Sequence, residues 1–197
     1  MKALIFDCDG TLIDTMPNHY KSWLEVLSPL DIPFSEAEFY ALGGWSAHGI
    51  LKKLAHDHNK RLDIDALALE KDHSYDKYMH QVRPLEAVVN IAREARGTVP
   101  MAVGTGGTRP FCTSALKRIG IFDWFDVIVC AEDVAHCKPA PDTFLLCAHQ
   151  LKTHPSDCLV YEDTDPGIEA ARAAGMKAVD VRELLRVEAI RDSQAKH

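Results

Sequence analysis

Residues 1–15 read MKALIFDCDGTLIDT. An apolar run, Ala3 to Phe6, stops at Asp7, with Asp9 and Asp14 close behind. A short continuous apolar stretch bounded by Asp and Gly is the pattern of a strand buried on both faces of a sheet. Asp7 and Asp9 stand two residues apart, so their side chains leave an extended chain on the same side, and Gly10 permits the turn that follows. Carboxylates held together where a buried strand ends lose hydration and repel one another, a cost that a cation or a proton must offset. A divalent metal ion is the compensation this stretch points to.

Outward from it, the same kind of run recurs at VPMAVG (99–104), DVIVC (126–130), CLVY (158–161) and AVDV (178–181). Helical patterns separate them: ALKRIG after the second run, PDTFLLCAHQL after the third and DPGIEAARAAG after the fourth. The last opens on Asp-Pro and closes at Gly175, as helix ends do. Strands alternating with helices predict an α/β fold with a doubly wound parallel sheet. The interval 15–82 breaks the rhythm. It has no strand pattern and holds instead the amphipathic segments PNHYKSWLEVL, SEAEFYALGG, SAHGILKKLAHDH and DALALEKDHSYDKYM. The expected organisation is a core domain of residues 1–14 and 83–197, with a small all-helical domain, 15–82, inserted after the first strand and re-entry at Arg83-Pro84. The tail beyond Leu185 is polar enough for a surface helix or a frayed end.

With 197 residues and 47% hydrophobic content, the chain can bury a substantial core. Its net charge of -7 opposes a nucleic-acid backbone or an anionic bilayer, so neither is expected as a partner; a local cation leaves small anions open. No stretch approaches the roughly 20 apolar residues of a membrane span, and the acidic N-terminus does not read as a signal peptide. Cys8, Cys112, Cys130, Cys137, Cys147 and Cys158 show no CxxC pair and no ligand spacing, and read as reduced thiols of a cytoplasmic protein. His56 and His58 flank Asp57, but an HxH on a helix points its rings to different faces and reads as a solvated helix end. A monomer is expected.

In open α/β sheets, ligands bind where the strands end. The first exit offers Asp7 and Asp9. The second is Gly104-Thr105-Gly106-Gly107-Thr108, a turn able to present N–H groups and a hydroxyl to a phosphate. The third leads to Lys138, held extended before Pro139, and the fourth to Glu162 and Asp163. Taken singly, these are a capped turn, a tight turn, a solvated lysine and carboxylates complementing a helix dipole. Together they lie at strand exits that alternating βα topology brings to one edge.

DCDGTLIDT, VGTGG, KPAPD and YEDTDPG resemble, in order and over nearly the whole chain, motifs one to four of the haloacid dehalogenase superfamily, and the helical insert is similar to its small cap. Within it the chain resembles the β-phosphoglucomutase-like subgroup, above all the fructose-1-phosphatase-like sugar phosphatases, through the GTGG turn and KPAPDTFLLCA. The resemblance implies Mg²⁺-dependent hydrolysis of a small phosphorylated sugar, of the fructose 1-phosphate or 6-phosphogluconate kind, through an aspartyl-phosphate. On that basis Asp7 is the nucleophile, and Asp9 the acid and base that protonates the leaving sugar oxygen and then activates water. Thr105, Gly106 and Lys138 bind the transferring oxygens. Mg²⁺ is expected on the Asp7 carboxylate, the Asp9 backbone carbonyl and Asp163, with Glu162 as a direct or outer partner.

His19, Trp23, Gly44 and Lys71 resemble cap positions that meet the sugar phosphate. Each has a plainer reading as cap core or solvated charge. Ala47 stands where the mutases carry an arginine for a second phosphate, with Arg109 or His48 as the cations that could compensate; this favours a phosphatase over a β-phosphoglucomutase. A haloacid dehalogenase, sharing Asp7 and Lys138 but with no use for Asp9 or a metal-binding Glu162-Asp163, is the more distant alternative.

Overall fold

A computed structural model describes residues 2–194. Along the chain run β1 (Ala3–Phe6), β2 (Ile13–Asp14), α1 (Met16–Leu27), α2 (Glu36–Ala41), α3 (Ala47–Asp57), α4 (Ile64–Asp76), β3 (Arg83–Pro84) and α5 (Glu86–Ala95). Then follow β4 (Met101–Gly104), α6 (Arg109–Arg118), β5 (Val127–Val129), α7 (Asp142–Gln150), β6 (Cys158–Glu162), α8 (Asp165–Ala173), β7 (Lys177–Asp180) and α9 (Arg182–Gln194). The main sheet has the order β5-β4-β1-β6-β7, parallel throughout, with β1 at its centre.

The alternation of side chains along β1 divides the core between the two faces. Leu4 and Phe6 pack with Val88, Val89 and Leu116 of α5 and α6; Ala3 and Ile5 pack with Phe144, Cys147 and Ala171 of α7 and α8. Helices covering both faces are why the strands read as unbroken apolar runs. α5 is an addition to the helices expected from the sequence, and its buried Val88, Val89 and Ala92 keep helical spacing. β6 extends one residue beyond CLVY, so Glu162 is the last residue of the strand and Asp163 the first of the loop.

Between β2 and β3 the chain is helical. α1 to α4 gather Trp23, Leu27, Phe34, Phe39, Leu51 and Leu54 into an apolar cluster of their own. Ser46 and Asp63 cap α3 and α4, accepting from Gly49 N–H and Ala66 N–H, and Ser35 with Glu38 forms a capping box on α2. Both connections to the sheet lie side by side, because Ile13 pairs with Pro84 and Asp14 with Arg83, and Leu85 N–H donates to the Leu12 carbonyl at 3.0 Å. We propose to divide the chain at this ladder, 15–82 against the rest. Asp14 is exposed there and takes no part in the acidic group at the end of β1. The six cysteines are free, and no helix among the described residues is long and apolar enough to cross a membrane.

Ile5 is fully buried on the central strand. Ile5→Ala is expected to remove about 3 kcal/mol of stability, read as a lower urea midpoint at unchanged slope.

Candidate functional site

The exits of β1, β4 and β6 and the loop after β5 meet at one edge of the sheet, where β1 passes directly into Asp7. The Asp7 N–H still donates to the Tyr161 carbonyl at 3.0 Å, which keeps the residue in register with β6 while its side chain is buried at the sheet edge. Lys138, from the loop after β5, reaches the same place. Its ammonium is completely buried, donates to Asp7 Oδ1 at 2.5 Å and Glu162 Oε1 at 2.8 Å, and lies 4.8 Å from the centre of the Phe144 ring. Burial alone would lower the pKa of an ammonium, but these two carboxylates override it and raise it. For Asp7 burial is again the largest influence; it raises the carboxyl, Lys138 lowers it, Glu162 raises it further, and the result is about 7.

Both oxygens of Glu162 are engaged. Oε1 takes the Lys138 ammonium, and Oε2 accepts from Thr164 N–H at 2.6 Å and from the Thr164 hydroxyl at 2.8 Å. The side chain lies against Gly167, where a Cβ would fall 1.8 Å from Glu162 Oε1. Asp163 turns the other way, accepting from the Thr11 hydroxyl through Oδ1 at 2.8 Å. Its Oδ2 passes so close to Gly10 that a Cβ there would be 2.3 Å away, and Gly10 also has a positive φ of 84°. Burial, then the charges of Glu162 and Asp7, hold the Asp163 carboxyl well above the usual range.

Thr105, just past β4, is buried with its N–H on the Val129 carbonyl at 3.0 Å, and its hydroxyl accepts from Gly107 N–H at 3.0 Å. The cap loop closes over this turn. A Cβ on Gly106 would lie 2.4 Å from the Gly44 carbonyl oxygen, and one on Gly44 would meet the Lys138 side chain at 3.0 Å.

Asp9 faces the helical insert. Its Oδ1 accepts from the Thr15 hydroxyl at 2.7 Å and from His19 Nε2 at 3.3 Å. On the other side of the ring, His19 Nδ1 lies 3.0 Å from Lys71 Nζ. The ammonium can only donate, so Nδ1 accepts and the ring proton sits on Nε2, aimed at Asp9. Stacking on Tyr75, with ring centres 4.0 Å apart and planes at 2°, fixes the imidazole. Burial lowers the His19 pKa and the neighbouring Lys71 lowers it further, against the opposing pull of Asp9. Burial also lowers Lys71 itself. For Asp9, burial would raise the carboxyl, but His19 and Thr15 outweigh it and bring it down to about 2.

The cavity between sheet edge and insert is lined by Asp7, Asp9, His19, Gly44, Lys71, Thr105 and Gly106. Trp23, 2% exposed, belongs both to the cap core and to this wall. His48 lines the cavity but pairs with Asp65 at 3.1 Å, and Arg109 is drawn to Asp133 and the Ile128 carbonyl. His56 is exposed against Asp57.

The acidic set does not assemble as a cage of side chains. Among the described residues no three or more His, Cys, Asp or Glu side chains are gathered to hold a metal ion. Asp9 turns to Thr15 and His19, and Glu162 is taken by Lys138 and Thr164. The Oδ2 atoms of Asp7 and Asp163 have no hydrogen-bond partner among the described residues. The buried Asp7 carboxylate and the half-buried Asp163 carboxylate, each with a free oxygen and each made less acidic by its surroundings, suit a hard cation that retains several waters and takes one or two carboxylates, as Mg²⁺ does.

Thr11, Thr15, Thr164 and Tyr75 join the site beyond the residues singled out in the sequence. The first two lie inside the DCDGTLIDT stretch and Thr164 is the N-cap of α8. Tyr75 stands one helical turn from Lys71, a spacing that signals only a shared face.

Over residues 1–175 the chain matches the haloacid dehalogenase-like hydrolase family. It is 43% identical over 181 residues to the fructose-1-phosphate phosphatase YqaB of Escherichia coli strain K12, covering 91% of this chain and 96% of that protein. To a β-phosphoglucomutase of Bacillus subtilis strain 168 it is 31% identical over 188 residues, covering 92% of this chain and 83% of the other. A hydrolase of Pseudomonas syringae, of solved structure, superposes with a TM-score of 0.83 at 26% identity, covering 94% of this chain and 90% of that one.

The folded protein keeps the Asp7 proton up to about pH 7, whereas the unfolded chain releases it near 3.8. Between those values the folded state binds more protons, so this group lowers stability as pH rises, and the full deficit is present above pH 7. Asp7→Asn is therefore expected to melt higher than the unsubstituted protein at pH 8 in EDTA, by on the order of 2 kcal/mol, with the difference fading toward pH 4. Thermal melts across that range check the sign.

Proposed function

The chain belongs to the haloacid dehalogenase-like hydrolases, and from that premise we propose that it is a Mg²⁺-dependent phosphatase hydrolysing small sugar monophosphates through an aspartyl-phosphate on Asp7. That it is a phosphoric monoester hydrolase follows from the family and its phosphatase relatives. The observation that carries the finer reading is the buried contact of Lys138 with Asp7, with the other Asp7 oxygen free and both Asp7 and Asp9 lining the cavity.

Lys138 fixes the orientation of the Asp7 carboxylate, which attacks phosphorus. The bond formed joins Asp7 to the phosphoryl group; the bond broken is that to the sugar oxygen. Thr105 and Gly106 are placed to donate to the transferring oxygens, which gain negative charge as the reaction proceeds. When bound, Mg²⁺ supplies the positive charge that lets two anions meet, and the Asp7 and Asp163 carboxylates with the Asp9 backbone carbonyl are the groups that would hold it.

Asp9 gives its proton to the leaving sugar oxygen, then takes one from the water that hydrolyses the aspartyl-phosphate. At rest it is ionised, held so by Thr15 and His19. Turning toward substrate breaks those hydrogen bonds, and an anionic phosphate alongside raises its pKa, so the group becomes able to carry a proton where one is needed. His19 and Lys71 then set the resting position of the acid and the cost of leaving it.

Ala47 on the cavity wall and the commitment of the Arg109 guanidinium to Asp133 and the Ile128 carbonyl support the phosphatase over the mutase, which stays the alternative. The free thiols support a cytoplasmic setting, and we read the protein as a monomer.

Phosphate release from fructose 1-phosphate with Mg²⁺, and its loss in EDTA, is the expected behaviour. Asp9→Asn is expected to lower kcat by about a hundredfold or more while Mg²⁺ still raises the melting temperature. Asp7→Asn is expected to form no phosphoenzyme; label retained on that variant would remove Asp7 as nucleophile. Accumulation of glucose 6-phosphate from β-glucose 1-phosphate with catalytic bisphosphate, in place of free phosphate, would establish the mutase. Activity indifferent to EDTA would remove the metal.

A further inference from the structure

A row of polar groups leads from the nucleophile loop into the helical insert: Asp9 Oδ1, His19 at 3.3 Å, Lys71 Nζ at 3.0 Å from the far side of that ring, and Asp72 Oδ1 at 3.5 Å from Lys71 Nζ. The row ends in a carboxylate on the cavity wall. Lys71 is thus committed on both sides, with its ammonium also set 5.2 Å from the Tyr75 ring centre and 5.8 Å from that of Trp23. His48, the other basic side chain on the insert's wall besides His19, is paired with Asp65. Ala47 contributes a methyl group, and Phe39, Trp45, Ile50 and Phe111 supply apolar wall.

A second full negative charge on a substrate would lose water against these walls, meet Asp72, and find no uncommitted cation among the described lining residues. A hydroxylated carbon chain would not be opposed. Its C–H faces suit the aromatic wall and its hydroxyls can donate to the Asp72 carboxylate. Resting on the phosphatase reading above, we propose that Asp72 is a specificity-determining residue which, with the cation-free wall at Ala47, restricts this site to sugar monophosphates whose remaining end is uncharged.

D-Glucitol 6-phosphate and 6-phosphogluconate share a carbon chain and a transferable phosphate, and differ at the far end as hydroxymethyl against carboxylate. With Mg²⁺, kcat/KM is expected to be at least about tenfold higher for the glucitol ester. Asp72→Asn and, separately, Ala47→Arg are expected to bring the two esters within about threefold, chiefly by raising turnover of 6-phosphogluconate. If neither of these esters is a substrate, the same comparison is made between fructose 1-phosphate and fructose 1,6-bisphosphate. Equal or reversed preference in the unsubstituted enzyme, or a ratio unmoved in both folded variants, overturns the assignment while leaving the phosphatase intact. Failure to release phosphate from any of these esters removes the phosphatase reading, and the assignment with it.

Discussion

The Lys138 ammonium, sealed from water between Asp7 and Glu162, is the contact around which the other strand ends are arranged. A buried cation of this kind is tolerable only when its hydrogen bonds are satisfied and its charge is matched. The match requires β1 and β6 to end at the same level, which their register secures by pairing Phe6 with Tyr161. Glu162 in turn is anchored by Thr164, the residue that starts α8, and lies against Gly167 in the first turn of that helix. One ion pair thereby ties the loop after β1, the central sheet and a helix N-terminus into one unit.

That unit is overfilled with negative charge. Asp7 and Glu162 share a single buried ammonium with Asp163 close by, and burial together with the neighbouring negative charge raises the Asp7 and Asp163 carboxyls. A site built to be neutral on its own would be more stable; in the proposed function the excess serves to draw a small, doubly charged cation and then an anionic ester. Asp9 shows the opposite environment only two residues away, ionised through Thr15 and His19. Neighbouring carboxylates pushed in opposite directions by their surroundings would let one loop hold both the nucleophile and the proton carrier of the proposed function.

Much of this is legible in the sequence, for reasons that can be named. ALIF, VPMAVG and CLVY advertise strands because both faces of the sheet are covered, and Asp7, Asp9, Thr105, Glu162 and Asp163 each follow such a run within a few positions, whereas Lys138 is separated from DVIVC by the loop AEDVAHC. The two-residue strands β2 and β3 carry no pattern of their own, since they exist only through pairing with each other. The commitment of Glu162 to Lys138 and Thr164 is likewise hidden, because a Glu-Asp pair looks the same whether its members face one ion or turn apart. His19 and Lys71 can be singled out by resemblance, but which ring nitrogen faces Lys71 depends on a ring orientation that Tyr75, on the same helix as Lys71, sets by stacking.

The ladder joining Ile13-Asp14 to Arg83-Pro84 has a consequence for how such proteins diversify. Where an inserted stretch leaves and returns through adjacent strands, its ends are already together, and lengthening or exchanging what lies between adds little closure entropy. The sheet experiences the whole insert as a short loop. New selectivity can therefore be grafted onto an unchanged phosphoryl-transfer engine, provided the graft still offers a neighbour for Asp9 and a backbone slim enough to rest against Gly106.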